Sequence, residues 1–305
     1  MTGKRMRLWA AAFLCVASGT ALGSSVVYLN DFEGVVGDEW SHPSTDTTPA
    51  GNRRFLGEFN PETVVLTLAD LPQHIEITVS FDLLILRSWD GNGGNPPDIW
   101  DLSIPNGPTL IRTTFSNHNL GSVHGYSPQA FPNEYPGDDN PSYTGAAEMH
   151  SMGYTHPTSD EPMDSVYALS STFSHSANFI SLRFSASLNS AVQNESWGLY
   201  NFTFAVTPPF LGDVNNDGIA DNLDITPFLR ALEVGGDEAR FLTLVPGGSF
   251  LAADTSKDGF VNNLDITPFI DLLTDPATDA AAIPEPASVM LLLPLMAMRR
   301  GRRRC

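Results

Sequence analysis

The sequence predicts a mainly β protein: an antiparallel two-sheet β-sandwich over residues 24–207, followed by a small α domain over 210–274. Three observations carry this expectation. Runs such as VVLTLADL, IEITVSFDLLIL, SLRFSASL and YNFTFAV alternate apolar with polar residues and are rich in β-branched and aromatic side chains, the pattern of half-buried strands. Clusters such as DGNGGNPPD, PNGP, NHNLGS and YPGDDNPS separate those runs as turns. After Thr207, DVNNDGIADNLDITPF and DTSKDGFVNNLDITPF recur 41 residues apart, each running into a short helix-like stretch, ITPFLRALE or ITPFIDLL.

Taken in chain order, residues 1–23 read as a secretory signal. MTGKRMR is the basic segment, LWAAAFLCVASGTALG the apolar one, and Ala21-Leu22-Gly23 a small-residue cleavage site. The apolar run is short for a membrane span, which takes about 20 residues. Cys15 lies inside this segment and Cys305 ends the chain, so the body between them has no disulfide or thiol chemistry. The formal net charge is −19, and trimming both ends at 24 and 284 removes eight of 16 basic residues but one of 35 acidic ones, leaving −26. Such a body repels phosphate backbones, and nucleic acid is excluded as a partner.

Within 24–207 the segment 117–162 has little strand pattern, so a long functional loop or a hidden hairpin is expected there. Trp40, Trp89, Trp100 and Trp197 offer two readings, sandwich core or a sugar-stacking platform, and core is the commoner use of such residues. His118, His124, His150, His156 and His175 lack the spacing of a zinc site and are expected to be scattered. LNDFEG, SFDLLILRSWDGN, PPDIWDLS and NESWGLYNFTF, in that order, resemble the jelly-roll (lectin-like) domains of exported bacterial proteins. The resemblance implies a carboxylate pairing between the early Asp-Phe-Glu, here Asp31 and Glu33, and a late Asp. Tyr200 stands in that late position, followed by Asn201, which weighs against a calcium ion in the sandwich.

Pro208-Pro209 reads as a stiff linker. Beyond it, calcium chemistry fits the repeats. Calcium takes six to eight hard oxygens, and a twelve-residue loop supplies them from positions 1, 3, 5, 7, 9 and 12, with glycine at 6 for the turn. The first copy places Asp213, Asn215, Asp217, Ile219 (through its carbonyl), Asp221 and Asp224 there, with Gly218 at 6. The second places Asp254, Ser256, Asp258, Phe260 (carbonyl), Asn262 and Asp265, with Gly259 at 6. One such match is also an ordinary acidic turn; two complete copies predict two bound calcium ions. Thirteen acidic and three basic residues lie between 208 and 282, so metal and folding are expected to be coupled.

Paired loops with Asp at position 12, one outgoing helix each and about 40 residues between them resemble a dockerin domain. The resemblance implies a twofold-related pair of loop–helix units that docks onto a cohesin-like β-sandwich partner. Pro227 and Pro268 depart from it, since proline belongs in a helix's first turn, and they make Asp224 and Asp265 the expected caps. Asn222-Leu223 and Asn263-Leu264, at positions 10 and 11, depart from the small hydroxyl pair common there. A small-residue linker spans 275–283. Then Pro284-Glu285-Pro286, an apolar run and an arginine cluster resemble a PEP-CTERM sorting tail over 284–305, which implies recognition by an exosortase-type protease.

The expectation is therefore an exported, surface-associated, non-catalytic protein with a calcium-dependent module and a carbohydrate-binding sandwich. Two alternatives stand beside it: a glycoside hydrolase or other polysaccharide-degrading enzyme carrying a dockerin, and a purely structural matrix or coat protein. No Gly-x-Ser-x-Gly or His-Glu-x-x-His motif is present, and no catalytic residue is assigned.

Overall fold

A computed structural model of the protein describes residues 24–274; the expected signal at 1–23, linker at 275–283 and sorting tail at 284–305 lie outside the described residues. The strands are β1 (Ser25–Asn30), β2 (Thr45–Thr47), β3 (Arg54–Phe59), β4 (Val64–Leu68), β5 (Glu76–Arg87), β6 (Ile99–Ser103), β7 (Thr109–Thr114), β8 (Glu148–Met149), β9 (Asp164–Ser174), β10 (Ile180–Ser187) and β11 (Glu195–Thr207). They form two antiparallel sheets, ordered β2-β3-β11-β5-β9-β8 and β4-β10-β6-β7, with β1 also paired to β11. β11 is the hub. One edge pairs with β5 from Glu195 to Thr207, and the other holds β3 at Trp197 and Leu199 and then β1 from Phe202 to Val206. The register slips between Tyr200 and Thr203, where Asn201 takes a left-handed φ of 50°. Such a bulge bends a strand locally, and here it falls where β11 changes partner.

The core between the sheets is aromatic. Trp40 meets Phe202 edge-on at 5.2 Å, Phe81 meets Phe184 at 5.7 Å, and Trp100 meets Trp197 at 6.1 Å. The four tryptophans are 0–1% exposed. They are therefore core residues, and the sugar-platform reading is corrected by burial.

Strand β5 shows why alternation fades along SFDLLILR. Its first half alternates, but Leu83 to Leu86 are all buried. Leu84 and Leu86 face a second cluster with Phe55, Met152, Tyr154 and Val166. Within the long 117–162 segment, Met152 and Tyr154 thus lie over the outer face of the first sheet, while Phe131 and Ala146 pack against the core between the sheets. The segment is tied down by short bridges, Gln129 with Asn140 and Thr155 with Pro162, and by β8.

The α domain has helices α1 (Ile225–Val234), α2 (Glu238–Leu244) and α3 (Ile266–Thr274). Phe228 and Phe269 hold equivalent places in the two repeats and stack with centroids 3.9 Å apart and planes 2° apart. Around them lie Val214, Ala231, Phe241, Phe250 and Val261. Helix α2 was not expected from the sequence. It begins where the Asp237 side chain accepts from Arg240 N at 2.9 Å, just after α1 ends on left-handed Gly235. The entry to α1 and α3 also differs from expectation. A 3-10 turn (Asn222–Asp224, Asn263–Asp265) precedes each helix, capped by the side chains of Asp221 and Asn262. Asp224 makes no side-chain cap bond to α1. The helical path thus starts earlier than the prolines suggest, and Pro227 and Pro268 still fall in the first α-turn, where a missing N–H costs little.

Candidate metal centres

The two loops carry the same hydrogen-bond net. Asp213 accepts from Asp217 N and Gly218 N, both at 2.9 Å; Asp254 accepts from Asp258 N at 3.1 Å and Gly259 N at 2.9 Å. Asp224 bridges Asn215 N (2.7 Å) and Asp221 N (2.9 Å), and Asp265 bridges Ser256 N and Asn262 N, both at 2.8 Å. Asp217 and Asp258 accept from Ile219 N and Phe260 N, and Asp221 and Asn262 from Leu223 N and Leu264 N. Each loop is thus closed by its own carboxylates. The left-handed residues also match: Asn216 (φ 63°) with Lys257 (62°), and Gly218 (93°) with Gly259 (88°). Only glycine meets such a φ without steric cost at the sharp turn.

Position 1 and position 12 are sunk into the loops: Asp213, Asp224, Asp254 and Asp265 are 0–3% exposed. Burial pushes the Asp213 and Asp224 carboxyls above the usual carboxylate range, and the charges of neighbouring aspartates, Asp217 among them, add to it. The donor set is all oxygen, which suits a hard cation such as calcium. Asn215 and Ser256 reach inward, Asn215 Nδ2 to Asp217 Oδ2 at 2.9 Å and Ser256 Oγ to Asp254 Oδ1 at 3.4 Å. The Phe260 carbonyl accepts from Asn262 Nδ2 at 3.3 Å. The second loop also touches the sandwich, since Gln73 Nε2 donates to Asp254 Oδ2.

Beside the loops lies a duplicated apolar face. Ile219 and Phe260, Leu223 and Leu264, Ile225 and Ile266, and Leu229 and Ile270 hold matching positions, and all eight are exposed.

In the sandwich the early Asp-Phe-Glu does meet the late position, through Glu33 and Tyr200. Glu33 Oε1 accepts from Arg54 N at 3.2 Å and from Tyr200 OH at 3.3 Å, Asp31 accepts from Glu33 N, and Asn201 donates to Asp82. The expectation of scattered histidines is overturned in part. The long loop folds back so that His124 and His156 stack at 3.3 Å, with His118 6.5 and 6.4 Å from them. His175 Nδ1 meets His74 Nε2 at 2.8 Å. An open cleft of about 630 Å³ lies beside His156, lined also by Arg87, Tyr154, Asp160 and Gln193. Sequence reasoning missed one further group: Asp90, Asp98 and Glu195, whose ligand oxygens lie within 4.8 Å of one another. Asp90 and Asp98 are eight residues apart, but Glu195 lies 97 residues beyond Asp98, so no spacing could have signalled the set.

No family model matches the chain, and no curated protein matches it in sequence. Among solved structures, the chain is similar to a carbohydrate-binding module (CBM6cm-2) from Cellvibrio mixtus lichenase 5A in complex with cellotriose. The identity is 12% and the TM-score 0.28, over 59% of this chain and 97% of that one, a likeness too distant to transfer a ligand.

Proposed function

We propose that this is an exported, surface-associated, non-catalytic protein whose paired loops bind two calcium ions and whose sandwich contacts extracellular polysaccharide. The observation that carries the reading is the matching set of backbone N–H bonds to buried aspartates in both loops. An ion there would be held by Asp213, Asn215, Asp217, Ile219 O, Asp221 and Asp224 in one copy, and by Asp254, Ser256, Asp258, Phe260 O, Asn262 and Asp265 in the other. It would offset the excess of negative charge in each loop. Metal binding then becomes folding free energy.

The duplicated apolar face is the docking surface in this reading, exposed once calcium sets the loops, and it suits a cohesin-like β-sandwich partner in the dockerin manner. The polar cleft at Tyr154–Asp160 is the place for sugar. Asp160 is the one carboxylate among its lining residues, whereas glycoside hydrolysis takes a pair, which favours binding over turnover. The tail at 284–305 is the substrate of an exosortase-type protease.

Hydrogen exchange of the full chain tests the central claim. Amides of α1 and α3 should exchange slowly with calcium and fast in chelator, while the centres of β5, β9 and β11 change little. Exchange in 210–274 that ignores calcium would sink the reading. A glycan array with the full chain tests the sandwich, and turnover of any glycan would replace binding by hydrolysis.

A further inference from the structure

Three acidic side chains meet at the end of the sandwich away from the helices. Asp90 follows β5, Asp98 precedes β6 and Glu195 opens β11. Asp98 and Glu195 are each 1% exposed. One oxygen of each, Asp98 Oδ1 and Glu195 Oε2, has no hydrogen-bond partner. A bare carboxylate oxygen in the interior is costly, and buried polar groups are nearly always satisfied. Two bare oxygens in one cluster therefore point to a missing partner of opposite charge. Arg87 lies across from Glu195 in the sheet, but its guanidinium is engaged by Glu58 at 2.7 Å.

The rest of the cluster is held in place. Asp98 Oδ2 accepts from Asp90 N, and Asp98 N donates to Gly91 O. Ser127 Oγ donates to Asp90 O, and His118 Nε2 lies 3.1 Å from Asp90 Oδ1. Burial pushes the Asp98 carboxyl up to about 8, helped by the charge of Glu195, and burial raises Glu195 as well.

We propose that Asp90, Asp98 and Glu195 bind one calcium ion. Calcium–oxygen bonds of about 2.3–2.6 Å put any two ligands of one ion within roughly 5 Å, and the three carboxylate oxygens lie within 4.8 Å of one another. The ligands are hard oxygens, and three carboxylates suit a dication. The ion ties the turn entering β6, in one sheet, to the first residue of β11, in the other. It is independent of the repeat loops: β11 alone, 13 residues long, separates the site from the helical module by roughly 40 Å at about 3.3 Å per residue.

Terbium, a luminescent calcium surrogate, separates the two kinds of site. Trp89 adjoins Asp90 and Trp100 lies two residues past Asp98, whereas 210–274 contains neither tryptophan nor tyrosine. Tryptophan-excited terbium emission from the full chain therefore reports the sandwich site. The expected result is emission that saturates at one ion, is displaced by calcium, and is lost in an Asp98→Asn, Glu195→Gln double variant. Asp90→Asn, at the most accessible ligand, should weaken calcium at least about tenfold and serves if the double variant fails to fold. Absence of tryptophan-excited emission overturns the proposal and leaves Asp98 and Glu195 as a pair sharing a proton. Emission that survives both variants, or yields to zinc and not to calcium, overturns it too. Neither result touches the repeat loops, whose occupancy is read by exchange in 210–274.

Discussion

The sandwich and the helical domain solve opposite problems. The sandwich joins an aromatic core from strands across the chain, with Trp40, Phe81, Trp100, Phe184, Trp197 and Phe202 in one cluster. Its cohesion comes chiefly from buried area. The helical domain has a far smaller core around Phe228 and Phe269 and carries two rings of acidic loops. A core that small leaves little margin, and in the proposed reading its stability hangs on what neutralises those loops. In the proposed reading one region is stable by packing and the other depends on a cation.

The largest test applies the same kind of truncation to both cores. Removing a buried aromatic costs about 3–5 kcal/mol. Trp197→Ala should lower the denaturant midpoint of the sandwich yet leave it folded. Phe269→Ala removes half of the Phe228–Phe269 stack and should leave α1 and α3 exchanging freely even in saturating calcium. A Phe269→Ala chain that keeps calcium-dependent protection would break the contrast.

A smaller effect should separate the two loops. Ser256 and Asn262 replace Asn215 and Asp221, and Lys257 adds a positive charge. The structure adds a reason, because Gln73 occupies an oxygen of Asp254. Calorimetry should therefore show Asp213→Ala removing the tighter of the two loop sites and Asp254→Ala the weaker. The reverse order would show that contact with the sandwich strengthens the second loop.

The smallest effect lies at the junction. His74 Nδ1 faces Pro72 O at 2.6 Å, which makes it the donor there, and its Nε2 then accepts from His175 Nδ1 at 2.8 Å. Burial, with His74 adding to it, holds His175 below the ordinary histidine value of 6.5. The unfolded chain protonates first as pH falls. The stability of the neutral pair is thus present above about 6.5 and is lost as pH drops through the depressed folded value. Exchange at Ile75 and His175 amides should rise over that window, and His175→Gln should flatten it. A rise unchanged in His175→Gln would assign the effect to other groups.

Much of this was legible early because it is local. A twelve-residue loop carries its oxygen-bearing side chains, its glycine and its turns in one stretch, and two copies agree. The β texture was legible because alternation is set by neighbours along one strand. The position of the helix caps was not. Proline restricts φ from its own ring, but whether Asp221 or Asp224 caps the turn depends on which N–H groups the closed loop leaves free.

Residues far apart in the chain carried no signal in advance. His118 and His156 meet only because the long segment folds back on itself. Helix α2 was hidden because a seven-residue helix depends on Phe241 reaching a core shared with Phe250. The sequence by itself determined the mainly β texture and the matching oxygen-bearing side chains of the two loops, since both are written by nearest-neighbour pattern. Only the tertiary structure decided that four tryptophans are core, and that Asp90, Asp98 and Glu195 share one buried point. Burial and convergence depend on how the two sheets close on each other, and no stretch of chain encodes that alone.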